Sequence, residues 1–267
     1  MEPATNHDAT PKLHVHFADA DAIPFPTRSV GRGDALYCAG EPLRSLYTVQ
    51  TGCFKSIATY PSADVDSPPH TQVTGFHLPD ETIGLDGVCT SRHESDAVAL
   101  EASVVRIMPV GILEPLCREY AAMQHELLAI MSAEIVRALR LALMLGTMPA
   151  RERVAAFLLD LSARFDTAST PSGDPAELIL PMTRADIGSY LGLELETVSR
   201  MLSKLQREGA IALNGQAGAY RRSRTACASL THRQHGRAGE LAAAQVIERA
   251  VCLCERIHRR VQIEMNV

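Results

Sequence analysis

Between Met182 and Ile211 the chain reads MTRADIGSYLGLELETVSRMLSKLQREGAI, and this stretch admits few folds. Thr183 followed by Asp186 is a Ser/Thr-x-x-Asp/Glu helix start, in which the hydroxyl accepts from a free N–H of the first turn. Ile187, Tyr190 and Leu191 then form the apolar side of a short helix. That helix ends at Gly192, where the chain turns through a positive φ without strain. A second helix is predicted from about Glu196 to Arg207. Val198, Met201, Leu202 and Leu205 share one face, and Glu196, Ser199, Arg200, Ser203, Lys204 and Arg207 share the other. Two helices joined by a tight glycine turn, the second polar from its first turn onward, predict a helix-turn-helix. The alternative is a helical hairpin with a solvated face.

The polar face has the chemistry of base edges. Arg200 offers two donors to guanine O6 and N7, Glu196 an acceptor for cytosine N4, and Ser199 either role. The formal net charge of the 267 residues is −5. Contact with phosphate depends on local charge, so this value does not exclude DNA.

Upstream, Arg32 to about Pro109 is β-like, with short apolar alternations broken by Gly, Pro and Asp. SLYTVQTGCFKSIATY predicts two strands around Thr51-Gly52, and TQVTGFHL and ALEASVVRIMPV continue the series. Regularly spaced short strands predict a small barrel or roll. From about Ile112 to Leu145 helix formers take over. Leu128, Met131, Ile135, Ala138, Ala142 and Leu145 follow a 3-4-3-4-3 spacing with no charge. This heptad seam suits a helix paired with its twin in a second copy, or a helix packed on its own domain. Gly146-Thr147-Met148-Pro149 then breaks the helix as a hinge. ARERVAAFLLDLSARF begins another amphipathic helix, and LILPM reads as a short strand.

The segment TRADIGSYLGLELETVSRMLSKLQREGAI resembles the DNA-binding motif of the CRP/FNR family of bacterial transcription regulators. The resemblance extends upstream through ARERVAAFLLDLSARF, MSAEIVRAL, TGFHLPDETIGLDG and AGEPLRSLYTVQTGCFKS, roughly Ser29 to Gly215. It implies an α+β fold: an N-terminal β-roll of the cyclic-nucleotide-binding type, a long dimerisation helix and a C-terminal winged helix-turn-helix. The expected boundaries are a disordered leader over 1–28, the roll over 29–111, the dimerisation helix region over 112–146, the DNA-binding domain over 147–215 and an atypical Arg-rich tail over 216–267. Within the family, LETVSR is similar to the FNR branch, whose E-x-x-S-R face reads a TTGAT half-site. That implies Glu196, Ser199 and Arg200 as base readers. Leu195 stands where the CRP branch has arginine. Thr183, Arg184, Thr197 and Lys204 are the candidate phosphate contacts. The implied partners are double-stranded DNA, a second copy of the chain and RNA polymerase.

Three departures accompany the resemblance. FNR-type oxygen sensors hold a [4Fe-4S] cluster with three N-terminal cysteines and a fourth in the roll. Here the seven cysteines begin at Cys38, and Arg106 stands near the fourth position. No cluster is therefore expected. Cyclic-nucleotide binders use Gly-Glu and Arg-Ser pairs that DETIGLDG and SRHESDAVALE do not supply, and Asp96 would repel a phosphate, so cAMP is not expected either. Finally, after AIALNG the chain runs into QAGAYRRSRTACASL and an Ala- and Arg-rich tail, where the second strand of a wing belongs. A helix over about Gly239–Glu264 is predicted there, through Ile247, Val251, Cys254 and Ile257 or Val261.

An altered wing admits a second reading, a dimerising β-roll protein with defective DNA binding. A third, a cupin-like metal enzyme, would draw on His70, His77 and His93, whose intervals lack the His-x-His pair of that chemistry. No Gly-rich phosphate loop or nucleophile elbow is present, so no catalytic residues are assigned. Irregularly spaced cysteines, no secretory signal and no apolar run near the ~18 residues of a membrane span point to reduced thiols and a cytoplasmic protein.

Overall fold

A computed structural model describes residues 25–64, 66–166, 177–209, 211–214 and 219–222. The β-like half forms eight strands: β1 (Thr27–Val30), β2 (Ala35–Tyr37), β3 (Ser45–Thr51), β4 (Phe54–Tyr60), β5 (His70–His77), β6 (Thr82–Ile83), β7 (Asp96–Ala99) and β8 (Ser103–Pro109). They assemble as two antiparallel four-stranded sheets, β1-β8-β3-β6 and β2-β7-β4-β5. The predicted pair around Thr51-Gly52 is β3 and β4, which continue into different sheets and so close the roll. Each sheet turns one face inward, and the inward residues of both form a core around Val30, Leu36, Val49, Phe54, Ile83 and Val105.

Helix α1 (Val110–Glu119) follows β8, and α2 (Ala121–Thr147) follows α1. The predicted helix region is therefore split at Tyr120, whose φ of −116° and ψ of 103° are extended. No Gly or Pro marks this break. Leu113 and Met123, on either side of it, pack with Leu46 and Met108 of the roll, and tertiary packing takes precedence over helix propensity. Helix α2, with 27 residues, is about 40 Å long at ~1.5 Å per residue. It stops at the expected hinge. Met148 is extended, as the residue before a proline is driven to be, and α3 (Ala150–Asp166) starts beyond Pro149.

The C-terminal unit comprises α3, β9 (Glu177–Ile179), α4 (Arg184–Leu191), α5 (Leu195–Arg207), β10 (Ile211–Asn214) and β11 (Ala219–Arg222). Its three strands form an antiparallel sheet in the order β10-β11-β9. Two expected boundaries are thereby corrected. β1 starts at Thr27, inside the segment assigned to the leader, because Thr27–Val30 pairs with Ser103–Arg106 and Phe25 packs against the cluster of Leu46, Met108, Leu113 and Met123. The wing's second strand does form, at Ala219–Arg222, beyond the limit set at 215. QAGAY interrupts the apolar pattern that signals a strand, yet Ala219 and Tyr220 find partners on both β10 and β9. The leader before residue 25 and the tail helix expected over Gly239–Glu264 lie outside the described residues.

Candidate nucleic-acid interface

The first helix of the motif is fixed at both ends by the residues that predicted it. Asp186 N–H donates to Thr183 Oγ1 over 3.1 Å, and Thr183 N–H donates to Asp186 Oδ2 over 2.9 Å, a reciprocal capping box. Burial pushes the Asp186 carboxyl up, but hydrogen bonds from Lys55 and Thr183 outweigh it and hold the group below the usual carboxylate range. At the other end Gly192 adopts φ 60°, ψ 44°, the left-handed conformation the sequence required of it.

Two further constraints at this turn escaped the sequence reading. A Cβ on Gly188 would stand 2.5 Å from Leu193 O, so only glycine lets the turn fold back onto α4. Arg153, on α3, donates to Met148 O over 2.8 Å and to Leu191 O over 3.0 Å, tying the hinge to the end of α4. The i, i+4 spacing of Gly188 and Gly192 was a visible signal for the first. Nothing local marks the second.

Helix α5 seats its apolar face as predicted. Val198, Leu202 and Leu205 are buried, and Met201 is half-buried against the same core. On the opposite face Glu196, Arg200, Ser203, Lys204 and Arg207 are exposed, and Ser199 is half-buried. The proposed phosphate contacts surround this face. Thr183 and Arg184 are exposed at the start of α4, and Thr197 is half-buried on α5. Arg184 Nη1 donates to Ser199 Oγ over 3.4 Å and Arg200 Nη2 to Thr197 Oγ1 over 3.1 Å, which links the two sets of residues. Glu194 precedes α5 without a side-chain capping bond, leaving first-turn N–H groups for other acceptors.

The heptad seam divides in the structure. Leu128, Ile135, Ala138 and Ala142 are exposed, whereas Met131 and Leu145 are half-buried. Leu145 Cδ2 lies beside the Gly192 turn, and Leu141 and Met144 pack against the core of the C-terminal unit. The free apolar edge therefore passes through Leu139, 63% exposed, which the 3-4 spacing left out.

A model of the Crp-like helix-turn-helix domain matches residues 152–221, and one of the cyclic nucleotide-binding domain matches residues 27–120. The transcriptional regulatory protein btr of Bordetella pertussis is 40% identical over 185 residues, 69% of this chain and 73% of that protein. The fumarate and nitrate reduction regulatory protein of Escherichia coli is 36% identical over 205 residues, 76% of this chain and 78% of its own. The chain belongs to the CRP/FNR family, on its FNR-like branch. The structure of FixK2 from Bradyrhizobium japonicum matches 80% of this chain and 98% of its own length, at 31% identity and a TM-score of 0.65. Regulators of this family bind DNA and act as dimers. This one is a DNA-binding transcription regulator and not an enzyme.

The CRP/FNR roll also permits a test of the ligands its family implies. A cavity of about 100 Å³ between the roll and α2 is lined by Tyr37, Ser56, His77, Asp86, Ser95 and Glu134. It is smaller than the ~300 Å³ at which ordinary ligand pockets begin. Asp86 is already engaged there, its Oδ2 accepting from Ser95 N–H over 3.0 Å and from Ser95 Oγ over 2.7 Å. Asp96, which the sequence reading set against a phosphate, does not line the cavity and accepts from Ala39 N–H over 2.7 Å. Of the described cysteines Cys38 and Cys89 are exposed, Cys117 is half-buried and Cys53 is buried, its thiol pushed up to about 12 by burial. Among the described residues no three His, Cys, Asp or Glu side chains converge to hold a metal ion. Nor is any described helix long and apolar enough to cross a membrane.

Proposed function

We propose that this regulator binds a TTGAT-N4-ATCAA-like palindrome as a homodimer, and that Glu196, Ser199 and Arg200 read each half-site. The observation that carries the reading is the division of α5, whose buried Val198, Leu202 and Leu205 hold the helix while its charged face stays open to solvent. Thr183, Arg184, Thr197 and Lys204 contact phosphates and fix the register without reading sequence. The two copies pair through α2, along Leu128, Ile135, Leu139 and Ala142, and pairing is constitutive because this edge carries no charge. Two-fold symmetry then places the recognition helices in successive major grooves. The regulator works without a [4Fe-4S] cluster or cAMP, and RNA polymerase is its partner at promoters.

A mobility-shift titration tests the reading. Full-length protein should shift a TTGAT-N4-ATCAA duplex well below micromolar concentration and a scrambled duplex only at higher concentration. No shift below micromolar protein, with the fold intact by circular dichroism, sinks it. Aerobic size-exclusion at micromolar concentration should give a dimer, and anaerobic purification should give protein without cluster absorption or stoichiometric iron.

A further inference from the structure

The hinge at Met148–Pro149 joins α2 to α3 through a short extended segment, which by itself would let the DNA-binding unit swivel. Contacts far from the hinge prevent this. At one end of the shared surface, Lys55 Nζ on β4 lies 2.5 Å from Asp186 Oδ1, the carboxylate that also caps α4. Beside it, Val73 N–H on β5 donates to Ser189 Oγ over 2.9 Å. At the other end Arg164 of α3 donates to both carboxylate oxygens of Glu81, over 2.9 and 2.7 Å, and to Phe76 O over 2.6 Å. Between the two ends Phe76 of the roll packs on Phe157 and Tyr190, with ring centroids 5.8 and 5.2 Å apart. The roll and the helix-turn-helix therefore share one apolar core, and polar clasps at both edges fix its register.

We infer that Lys55 and Glu81, residues of the β-roll, are positioning residues for DNA recognition that set the spacing between half-sites. Each added base pair moves one half-site by about 3.4 Å along the duplex and about 35° around it. A recognition helix held at a fixed angle cannot follow that displacement, whereas one tethered only by the hinge can. The clasps leave the charged face of α5 open, so they orient the reader without covering it. This inference rests on the palindrome reading above.

The test measures affinity for TTGAT-ATCAA palindromes with spacers of three, four, five and six base pairs. Wild-type protein should lose about 100-fold on leaving the four-base-pair spacer, because the second half-site no longer adds avidity. The variant Lys55→Ala/Ser189→Ala should bind the best spacer more weakly and lose less than about 10-fold across the set, as a flexible tether permits. Lys55→Arg should restore the narrow profile, which a general loss of stability would not do. Glu81→Gln acts at the opposite edge and should broaden the profile in the same way, so a folding defect in either variant leaves the other to decide. An unchanged profile in the folded variants, or tighter binding to the four-base-pair spacer, overturns the inference while leaving the palindrome reading intact. Wild-type protein that binds no palindrome at all overturns both.

Discussion

Helices α4 and α5 are joined by only three residues, Gly192 to Glu194, yet they are built on opposite plans. Helix α4 buries five of its eight residues, including the charged Asp186, whereas α5 buries three of thirteen. The cause is where the neighbours lie. Helix α4 is packed by α5 on one side and by β5 of the roll on the other, so little of its surface is left to advertise anything. Helix α5 meets α3, α4 and β10 along the one face that carries Val198, Leu202 and Leu205, and keeps a full polar face opposite. A helix covered on two sides carries information about architecture, and one covered on a single side carries information about what it meets.

The contrast can be broken most severely from within α5. Leu202, 1% exposed, is the centre of its buried side, and Leu202→Ala should cost about 2–5 kcal/mol in denaturant-induced unfolding. A smaller loss would mean that α5 is not seated as described. Two residues away, Arg200→Ala should leave stability within about 0.5 kcal/mol, as an exposed substitution does. Its effect should fall on DNA, lowering affinity for the specific duplex by about 1–3 kcal/mol and relaxing discrimination at one base pair. A titration of specific and scrambled duplexes measures both. Equal loss on the two would reassign Arg200 to the backbone.

The same contrast explains what the sequence could and could not convey. The i, i+3, i+4 and i+7 spacing on α5, the Thr183–Asp186 box and Gly192 are local features, and each appears in the structure at its expected place. The strand pair around Thr51-Gly52 is equally local. What was illegible is pairwise across long separations. Lys55 meets Asp186 across 131 residues and Arg164 meets Glu81 across 83, and no periodicity encodes either pair. The break at Tyr120 and the wing strand at Ala219–Arg222 failed to register for the same reason. Partners elsewhere in the fold decide them, in one case against helix propensity and in the other despite a weak strand pattern.

Acid should act on the α4 side of the comparison. The folded Asp186 carboxyl titrates below its usual range. A depressed folded pKa contributes stability that is present above the unfolded value of ~3.9 and is lost as the pH falls through the lower folded value. Lys55→Ala removes one of the donors responsible. The stability gap between wild type and Lys55→Ala should therefore be constant from neutrality down to about pH 4 and close below it. Unfolding midpoints across that range supply the check. The gap should be smaller than the Arg200 effect on DNA, because water reaches Lys55, 20% exposed, and screens the pair. A gap that widens in acid would assign the stabilisation to another group.

The smallest expected effect separates two roles on the open face of α5. Lys204 is exposed one turn beyond Arg200, and a flexible ammonium there reaches a phosphate as a point charge rather than a base edge as a fork. Neutralising one phosphate releases about 0.9 of a counterion, so Lys204→Ala should make the plot of log affinity against log salt shallower by about 1 unit. The loss should be the same for the TTGAT duplex and its scrambled control, leaving their ratio unchanged. That result would keep sequence reading within the first turn and a half of α5, at Glu196, Ser199 and Arg200, with non-specific attraction further along. If the ratio moves instead, Lys204 reads a base, and the helix enters the groove more deeply than a reader confined to its N-terminal turns.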